Sequence, residues 1–411
     1  MKILVLNSGS SSQKSNLYEI GLDLPASPPV PLWEGKIEWD GDDAETRVET
    51  SRGATLENRV KVASRTQAVE RLLETLWKGS ASVVSSREEV DVAGHRVVHG
   101  GQTFKQPTLI TSQVKSAIAS MSGFAPLHNR AELQGIEIVE QTIGAIPQVA
   151  VFDTSFHSNL PEAAAVFPGP YEWLSRGIRR YGFHGINHQY CGERAAELLG
   201  RDLNSLKLIT CHLGNGCSLA AIQHGRSVDT TMGFTPLDGL MMGTRSGAVD
   251  PGVLTFLMRQ DGLSSQQLDD LLNKKSGLLG ISGISSDMRQ IISQMKAGNS
   301  RAKLAFEIFV HRLQSSIGVM IAVLGELDAL VFTAGIGENS PEVRAAACST
   351  LGFAGLNLDS SKNAQTSGDQ DISLADSRIR VLVIRAQEDW AIAKECWRMV
   401  PAKTHGQAGA R

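Results

Sequence analysis

The chain has 411 residues, of which 42% are hydrophobic and 20% are charged, and its formal net charge at pH 7 is −3. This length is sufficient for two domains with separate cores, and the small net charge excludes a general electrostatic attraction to nucleic acid or to an anionic membrane. The 5 cysteines contain no C-x-x-C pair, which argues against a disulfide framework or a structural zinc site and favours a cytoplasmic protein.

The first part of the chain predicts a mostly antiparallel sheet followed by helices. Apolar or alternating segments predict strands at residues 2–6, 15–19, 32–39, 47–50, 57–62, 90–98 and 148–152, the sixth of them interrupted by Gly94, His95 and Arg96. Apolar residues at helical spacing predict helices at residues 66–77, 112–121 and 129–141. We place a domain boundary after Asp153, so the predicted N-terminal lobe spans residues 1–153.

The second part alternates strands and helices and predicts a C-terminal lobe over residues 154–387. Strands are predicted at residues 208–213, 217–222, 329–333 and 380–384. Helices are predicted at residues 189–199, 253–259, 264–273, 300–324, from Pro341 onward, and 388–397. The longest apolar run, residues 317–324, is too short to cross a membrane and predicts a buried helix. The segment 388–400, which contains this last helix, is expected to join the N-terminal lobe. Residues 401–411 are expected to form a flexible tail.

A loop of small residues, NSGSSSQK at 7–14, follows the first predicted strand. Small residues allow backbone amides and hydroxyls to approach an anion closely, and Lys14 adds a positive charge, so the loop is a candidate phosphate site. The alternative is a flexible Gly/Ser linker, because the Walker ending Gly-Lys-Ser/Thr is absent.

Two further glycine-rich turns lie in the second part of the chain. Gly214, Asn215 and Gly216 separate two apolar strands, which predicts a hairpin, and a structural hairpin alone would explain them. The segment 334–339, AGIGEN, follows a strand and precedes a helix, which predicts a third phosphate or ribose site. One glycine hairpin in each half suggests a duplicated core that resembles the acetate and sugar kinase/Hsp70/actin superfamily.

Eight strings occurring in one order are similar to those of the acetokinase family, the acetate kinases. They are LNSGSSS at 6–12, GHRVVHGG at 94–101, VFDT at 151–154, YGFHG at 181–185, HLGNG at 212–216, MMGTRSG at 241–247, SSDMR at 285–289 and GIGEN at 335–339. The resemblance implies an α/β protein with a two-lobed actin-like ATPase fold, a duplicated core and an active site in the interdomain cleft. It also implies a homodimer and the reversible, Mg²⁺-dependent transfer of the γ-phosphoryl group of ATP to acetate, giving acetyl phosphate and ADP by direct in-line transfer.

Four residues match catalytic positions of the family: Arg96, Asp153, His184 and Arg245. The resemblance implies that both arginines align the carboxylate and the phosphoryl group, although a single arginine is more often part of a surface ion pair. It implies that His184 donates a hydrogen bond to the phosphoryl group. A metal site formed with His188 is disfavoured because Gly185 occupies the place of the glutamate of zinc proteases. Asp153 is expected to orient an arginine, since acetate has no proton to lose at neutral pH.

The resemblance also implies the binding residues. The acyl pocket is implied at Val98, Leu127, Phe183 and Pro236, beside Arg96. Nucleotide contacts are implied at Ser10, Ser12, Lys14, His212, Leu213, Gly214, Asn215, Gly216, Asp287, Met288, Arg289, Gly335, Ile336, Gly337, Glu338 and Asn339. Metal contacts are implied at Asn7 and Glu388, with Mg²⁺ as the ion, Mn²⁺ as a substitute and ATP as the co-substrate.

Departures from the family pattern leave alternatives open. Ser15 replaces a usual aromatic residue, Ala248 replaces a usual aspartate, and Gln387 and Asp389 differ beside the metal position. The alternatives are a propionate or other short-chain fatty acid kinase, a nucleotide-driven protein of the Hsp70 or actin kind, and a nucleotide-binding paralogue with weak activity. Val98 is larger than the alanine of propionate-preferring relatives, so acetate is favoured. No nucleic-acid or membrane partner is expected.

Overall fold

The computed structural model describes residues 1–9, 12–40, 43–61, 64–121 and 128–401. Ser10, Leu127 and most of the predicted tail, residues 402–411, therefore lie outside the described residues. The chain divides into two compact units. Unit 1 contains residues 1–155 together with the chain from Gln387 onward, and unit 2 contains residues 156–386.

Unit 1 is built on an eight-stranded sheet. Its strands are β1 Lys2–Ser8, β2 Ser12–Glu19, β3 Trp33–Asp40, β4 Asp43–Thr50, β5 Thr55–Lys61, β6 Val92–Val97, β7 Thr108–Leu109 and β8 Gln148–Phe152, in the spatial order β5-β4-β3-β2-β1-β6-β8-β7. Strands β1 to β5 are antiparallel neighbours, whereas β1, β6 and β8 run parallel. All five residues of β8 are buried, as expected for a parallel strand covered on both faces.

Helices cover the sheet of unit 1. They are α1 Arg65–Glu74, α2 Ser112–Ser120 and α3 His128–Thr142, together with the last helix of the chain, Glu388–Met399. That last helix packs on β6 at Gly94, where an added Cβ would lie 2.5 Å from Cys396 Sγ and 2.6 Å from Ile392 Cγ2. The close approach therefore requires glycine at this position.

Unit 2 repeats this arrangement with six strands. They are β9 Lys207–Leu213, β10 Cys217–Gln223, β11 Arg226–Thr230, β12 Ala329–Thr333, β13 Gln370–Asp371 and β14 Arg380–Val383, in the order β11-β10-β9-β12-β14-β13. An antiparallel trio is followed by parallel strands and an antiparallel edge strand, as in the series β3-β2-β1-β6-β8-β7 of unit 1. The shared order supports a duplicated core.

The remaining helices belong to unit 2, except the last. They are α4 Glu162–Ala165, α5 Glu172–Ser175, α6 Gly185–Leu199, α7 Pro251–Gln260, α8 Ser265–Lys274, α9 Gly277–Ser282, α10 Met288–Lys296, α11 Ser300–Leu324, α12 Ala334–Asn339, α13 Pro341–Cys348, α14 Ser360–Ala364 and α15 Glu388–Met399. Side-chain caps begin several of them; Ser264 and Gln267 form a capping box at α8, and Ser340 caps α13 ahead of Pro341.

Three predictions from the sequence are corrected by the structure. The strand predicted as interrupted at 90–98 is continuous as β6. The predicted glycine turn at 335–339 is the short helix α12, entered through Ala334 with φ +64°. Helix α11 is not buried all round, because one face packs Phe309, Leu313 and Ile317 into the core while Val319 is 56% exposed. Among the described helices, α11 alone has the length and composition of a membrane span, a test that the core helix of a soluble protein can also meet.

Candidate active site

Three predicted residues of unit 1 meet at the ends of parallel strands. Asn7 belongs to β1, Arg96 to β6, and Asp153 follows β8, so their side chains lie at the same edge of the sheet. Arg96 Nε donates to both carboxylate oxygens of Asp153 at 3.2 and 3.1 Å, and Arg96 Nη1 donates to Asn7 Oδ1 at 3.2 Å. Asp153 is only 1% exposed, so this forked pairing fixes the direction of the guanidinium group.

The negative groups around Arg96 favour its charged form. Burial by itself lowers the pKa of the guanidinium group, but the negative charges of Asp153 and Glu388 outweigh it and raise the pKa above its ordinary value. Arg96 is therefore a partly buried, permanent cation that is held by a carboxylate, an arrangement able to bind a second anion.

Glu132 on α3 was not predicted from the sequence. Its Oε1 accepts a hydrogen bond from Val98 N at 3.0 Å, and its Oε2 has no hydrogen-bond partner within the described part of the chain. Burial raises the pKa of this carboxyl group to about 8, against the lowering effects of the Val98 N–H and of Arg96. Glu132 is therefore mostly protonated at neutral pH.

Two carboxylates begin helix α15. Asn7 Nδ2 donates at 3.2 Å to Glu388 Oε2 and at 3.2 Å to Asp389 Oδ1. Asp389 Oδ2 also accepts from Asn16 Nδ2 at 2.7 Å and lies 3.3 Å from Lys14 Nζ. Burial opposes the charge of Lys14, but Asp389 and Glu34 raise its pKa above the ordinary value. Asp389 is thus largely satisfied by protein groups, which leaves Glu388 as the better placed metal ligand.

The residues around Asn7 fit magnesium better than zinc. No group of three or more His, Cys, Asp or Glu side chains suited to a metal occurs among the residues that the structure describes. Magnesium usually keeps several waters and is bound through one or two carboxylates plus substrate phosphates. The carboxylate of Glu388 and the side-chain oxygen of Asn7 match that requirement, and Asp389 lies beside them.

In unit 2, His184 occupies a strained backbone position at the start of α6. Its φ is +56°, a left-handed conformation that is uncommon for a residue with a side chain and often marks a functional site. Its Nδ1 is 2.9 Å from Ser218 Oγ, and its ring stacks on the ring of His212 with centroids 4.0 Å apart. The preceding Gly182 has φ +75°, and a Cβ there would lie 2.6 Å from Thr230 Cγ2, so glycine is required in this turn.

His184 and Arg245 converge on the turn between β9 and β10. A Cβ added to Gly216 would lie 3.4 Å from His184 Nε2 and 3.5 Å from Arg245 Nη1. Arg245 Nη1 donates to the carbonyl oxygen of Pro236 at 3.2 Å, which brings the predicted acyl-pocket residue Pro236 beside it. An imidazole nitrogen and a guanidinium group beside a bare backbone form a site that suits a phosphoryl group.

Phe183 and Val98, two of the other predicted acyl-pocket residues, are buried. Phe183 is 1% exposed, and its carbonyl oxygen lies 3.1 Å from His157 Nε2. Val98, in unit 1, is 4% exposed. Leu127 lies outside the described residues.

A pocket of about 650 Å³ in unit 2 brings together three of the predicted nucleotide strings. Its lining includes Gly214, Asn215, Asp287, Met288, Arg289, Gly335, Ile336 and Asn339. Asp287 caps helix α10 and pairs with the side chain of Arg289, which is 88% exposed. The lining does not include His212, Leu213, Gly216, Gly337 or Glu338.

Glu338 and Gly337 do not line this pocket and instead form hydrogen bonds with other protein groups. The carboxylate of Glu338 accepts from Ala386 N at 2.9 Å. Arg344, which is fully buried, donates to the carbonyl oxygens of Gly337 and Glu338 at 2.8 Å each.

The predicted phosphate-binding serines belong to unit 1. The backbone carbonyl oxygen of Ser12, at the start of β2, accepts a hydrogen bond from Gly9 N at 2.8 Å, and Ser10 lies outside the described residues.

The family is decided by a match along nearly the whole chain. The family model described as the acetokinase family matches residues 2–394. The chain belongs to the acetokinase family. The acetokinase relatives include the acetate kinase of Nostoc sp. strain PCC 7120, which is 59% identical over 97% of this chain and 100% of its own length. The acetate kinase of Cyanothece sp. strain PCC 7425 is 58% identical over 97% of this chain and 98% of its own length.

Solved acetokinase structures share the fold. The acetate kinase of Porphyromonas gingivalis has a TM-score of 0.88 at 40% identity, with 96% of this chain and 98% of that chain covered. A propionate kinase from Francisella tularensis has a TM-score of 0.87 at 38% identity, with the same 96% and 98% covered. The prediction of a two-lobed actin-like ATPase fold is therefore confirmed, as is the prediction of a kinase.

Three polar residues that lie close to the predicted site residues were not predicted from the sequence. Glu132 lies in a helix without any matched string, and Ser218 lies two residues beyond the HLGNG string. Asp389 differs from the family pattern and directly follows the predicted metal ligand Glu388, but the sequence gives it no predicted contact. The sole signal for Ser218 in the sequence is that it is the one polar residue in the predicted strand 217–222, CSLAAI.

Proposed function

We propose that this acetokinase-family enzyme transfers the γ-phosphoryl group of ATP reversibly to acetate, in the presence of Mg²⁺, by direct in-line transfer that gives acetyl phosphate and ADP. The observation that carries the proposal is the approach of His184 Nε2 and Arg245 Nη1 to the backbone of Gly216. The hairpin that contains Gly216 also lines the 650 Å³ pocket through Gly214 and Asn215. Curated relatives named acetate kinase, at 58 and 59% identity, support the same activity.

The chemistry requires positive charge more than covalent catalysis. A carboxylate oxygen of acetate forms a bond to the γ-phosphorus while the bond from that phosphorus to the ADP oxygen breaks, so two anions have to be held together. We assign Arg96 to the acetate carboxylate, and Arg245 and His184 to the oxygens of the transferring group. Asp153 acts by orienting Arg96, which its forked hydrogen bonds support.

The pocket in unit 2 is assigned to the nucleotide. Gly214 and Gly335 leave space for close backbone approach, and Asp287 with Arg289 forms a polar wall. Ser10, Ser12 and Lys14 remain proposed phosphate contacts of unit 1. His212, Leu213, Gly216, Gly337 and Glu338 do not line this pocket and remain proposed nucleotide contacts from the resemblance.

Magnesium is assigned to Glu388 with Asn7, and Asp389 supports the pair through Asn16 and Lys14. When bound there, the ion neutralises phosphate charge, and Mn²⁺ is expected to substitute. The family usually has glutamate at position 389, so Asp389 keeps a carboxylate there and we expect metal dependence to be retained.

A small acyl group is favoured because Val98 is larger than the alanine of propionate-preferring relatives, and Leu127, Phe183 and Pro236 remain the other proposed pocket residues. One additional methylene changes discrimination by only about 1–3 kcal/mol, so turnover of propionate is expected as a minor activity. A preference for propionate is the second candidate function, because a propionate kinase is among the similar solved structures.

We further propose that the enzyme is a cytoplasmic homodimer without nucleic-acid or membrane partners. Helix α7 has no buried residue, although three of its side chains are large and apolar. Val253, Phe256 and Met258 are 47, 55 and 44% exposed. Exposed apolar side chains of this kind are typical of an interface, and a second copy of the chain is the occupant proposed here. Sedimentation of the wild type as a dimer and of Phe256→Glu as a monomer is expected; a monomeric wild type would contradict it.

The function is tested by measuring ADP formation with ATP and Mg²⁺ and with acetate, propionate, butyrate or no acceptor, while hydroxylamine traps the acyl phosphate. We expect acetate to give the highest kcat/KM, with trapped product equal to ADP. A higher value for propionate would keep the mechanism and replace the substrate. ATP hydrolysis without an acceptor, or the absence of turnover, would contradict the proposal.

A further inference from the structure

A chain of buried hydrogen bonds ends on His184. Thr210 Oγ1 lies 2.7 Å from His188 Nδ1, His188 Nε2 lies 2.7 Å from Ser218 Oγ, and Ser218 Oγ lies 2.9 Å from His184 Nδ1. Thr210, His188 and Ser218 are each 0% exposed. Water therefore does not compete for these groups, and their protons have to be satisfied within the chain.

The direction of the hydrogen bonds follows from counting protons. Burial lowers the pKa of His188 well below its ordinary value, so the ring is neutral and carries a single N–H. One ring nitrogen of His188 therefore donates and the other accepts. Neither the Thr210 hydroxyl nor the Ser218 hydroxyl donates to any other group among the described residues.

Only one direction satisfies every proton. If Ser218 donated to His188 Nε2, then His188 Nδ1–H would donate to Thr210, and the buried hydroxyl proton of Thr210 would have no acceptor. An unsatisfied buried donor costs roughly 1–3 kcal/mol. In the opposite direction Thr210 donates to His188 Nδ1, His188 Nε2–H donates to Ser218, and Ser218 donates to His184 Nδ1. All three protons then have acceptors.

We propose that Thr210, His188 and Ser218 form a hydrogen-bond relay that holds the proton of His184 on Nε2. This inference rests on the proposed function and deepens it: the neutral His184 ring presents an N–H donor beside Gly216 and Arg245, where the phosphoryl oxygens are expected. His188 and Ser218 are positioning residues, since neither is assigned a substrate contact. No proton has to move along the relay.

The first test reads the tautomer directly, by NMR of ¹⁵N-labelled histidine side chains in the full-length enzyme, with His184→Gln used to assign the His184 signals. We expect an N–H-type shift at Nε2 and an unprotonated-type shift at Nδ1. In Ser218→Ala both signals are expected to move toward averaged values. An N–H-type shift at Nδ1 and an unprotonated-type shift at Nε2 in the wild type would overturn the proposal, as would unchanged signals in Ser218→Ala.

The second test is kinetic. Ser218→Ala is expected to lower kcat about ten- to hundredfold with little change in KM for ATP or acetate, because the donor is used in the transition state. His188→Gln keeps one donor and one acceptor and should retain most of kcat, whereas His188→Leu should not. If Gln and Leu at position 188 were equally damaging while both variants kept the circular dichroism of the wild type, a relay role would be refuted.

The matched control is Ser227→Ala, which removes a hydrogen bond of 2.7 Å between Ser227 Oγ and His157 Nδ1, also buried in unit 2. Its kcat and its His184 NMR signals should match the wild type, and a loss equal to that of Ser218→Ala would refute the specificity of the relay. A wild type that makes no acetyl phosphate would refute the proposed function, whereas the NMR result would still decide the tautomer.

Discussion

The substitution Glu132→Gln is expected to make the protein more stable relative to the wild type as the pH rises. Glu132 is 2% exposed, and its Oε1 accepts from Val98 N at 3.0 Å. Glutamine keeps that acceptor and almost the same volume but has no proton to lose. The variant therefore removes the ionisation of the side chain while it keeps the contact with the backbone.

The magnitude follows from the pKa. Burial raises the pKa of Glu132 to about 8, from an ordinary value of 4.5. Between these values the folded state holds a proton that the unfolded state has released, so the free energy of unfolding falls as the pH rises. At 1.36 kcal/mol per pKa unit, the wild type should lose about 2 kcal/mol relative to the variant between about pH 6 and pH 8.

Urea denaturation of both proteins at several pH values between about 6 and 8 measures this difference. The expected result is a gap between the two unfolding free energies that grows in favour of Glu132→Gln as the pH rises. Glu137→Gln, at an exposed position of the same helix, is the matched control and should show a gap that does not change with pH. A gap for Glu132→Gln that is also independent of pH would refute the conclusion that Glu132 is protonated in the folded protein.

Three further substitutions test the site. Gly216→Ala should fold normally, because its Cβ would lie 3.4 Å from His184 Nε2, an ordinary van der Waals distance. Its kcat/KM should nevertheless fall at least about tenfold, because the methyl group would fill the proposed phosphoryl site. Unchanged kinetics would contradict that assignment, and the control is Gly318→Ala, where an added Cβ meets nothing within 4 Å. Arg245→Ala should lower kcat by about 10²–10³ while circular dichroism stays that of the wild type, and near-normal turnover would refute the role of Arg245. Val98→Ala should shift the kcat/KM ratio toward propionate by about tenfold, and an unchanged ratio would show that Val98 does not line the acyl pocket.

The sequence was most informative where a local rule determines the structure. The Asn-Gly turn predicted the hairpin of β9 and β10, and apolar or alternating residues predicted every strand of unit 1 except the two-residue β7 to within a few positions. Helix α12 could not be predicted in this way, because its two glycines disfavour a helix and its conformation depends on the contacts that Arg344 makes with the carbonyl oxygens of Gly337 and Glu338.

In the candidate site, too, the sequence predicted individual residues but not the contacts between residues that are far apart in the chain. The resemblance predicted Asn7, Arg96 and Glu388 as site residues, but it did not predict their contacts, and the hydrogen bond from Asn7 to Glu388 joins residues 381 positions apart. No spacing rule operates over such a distance. The proton on Glu132 and the tautomer proposed for His184 depend on which polar groups are buried without water, and burial is set by the packing of helices on the two sheets. Charge state is therefore the property of this site that the sequence could not supply, and it is the property that the stability and NMR measurements address directly.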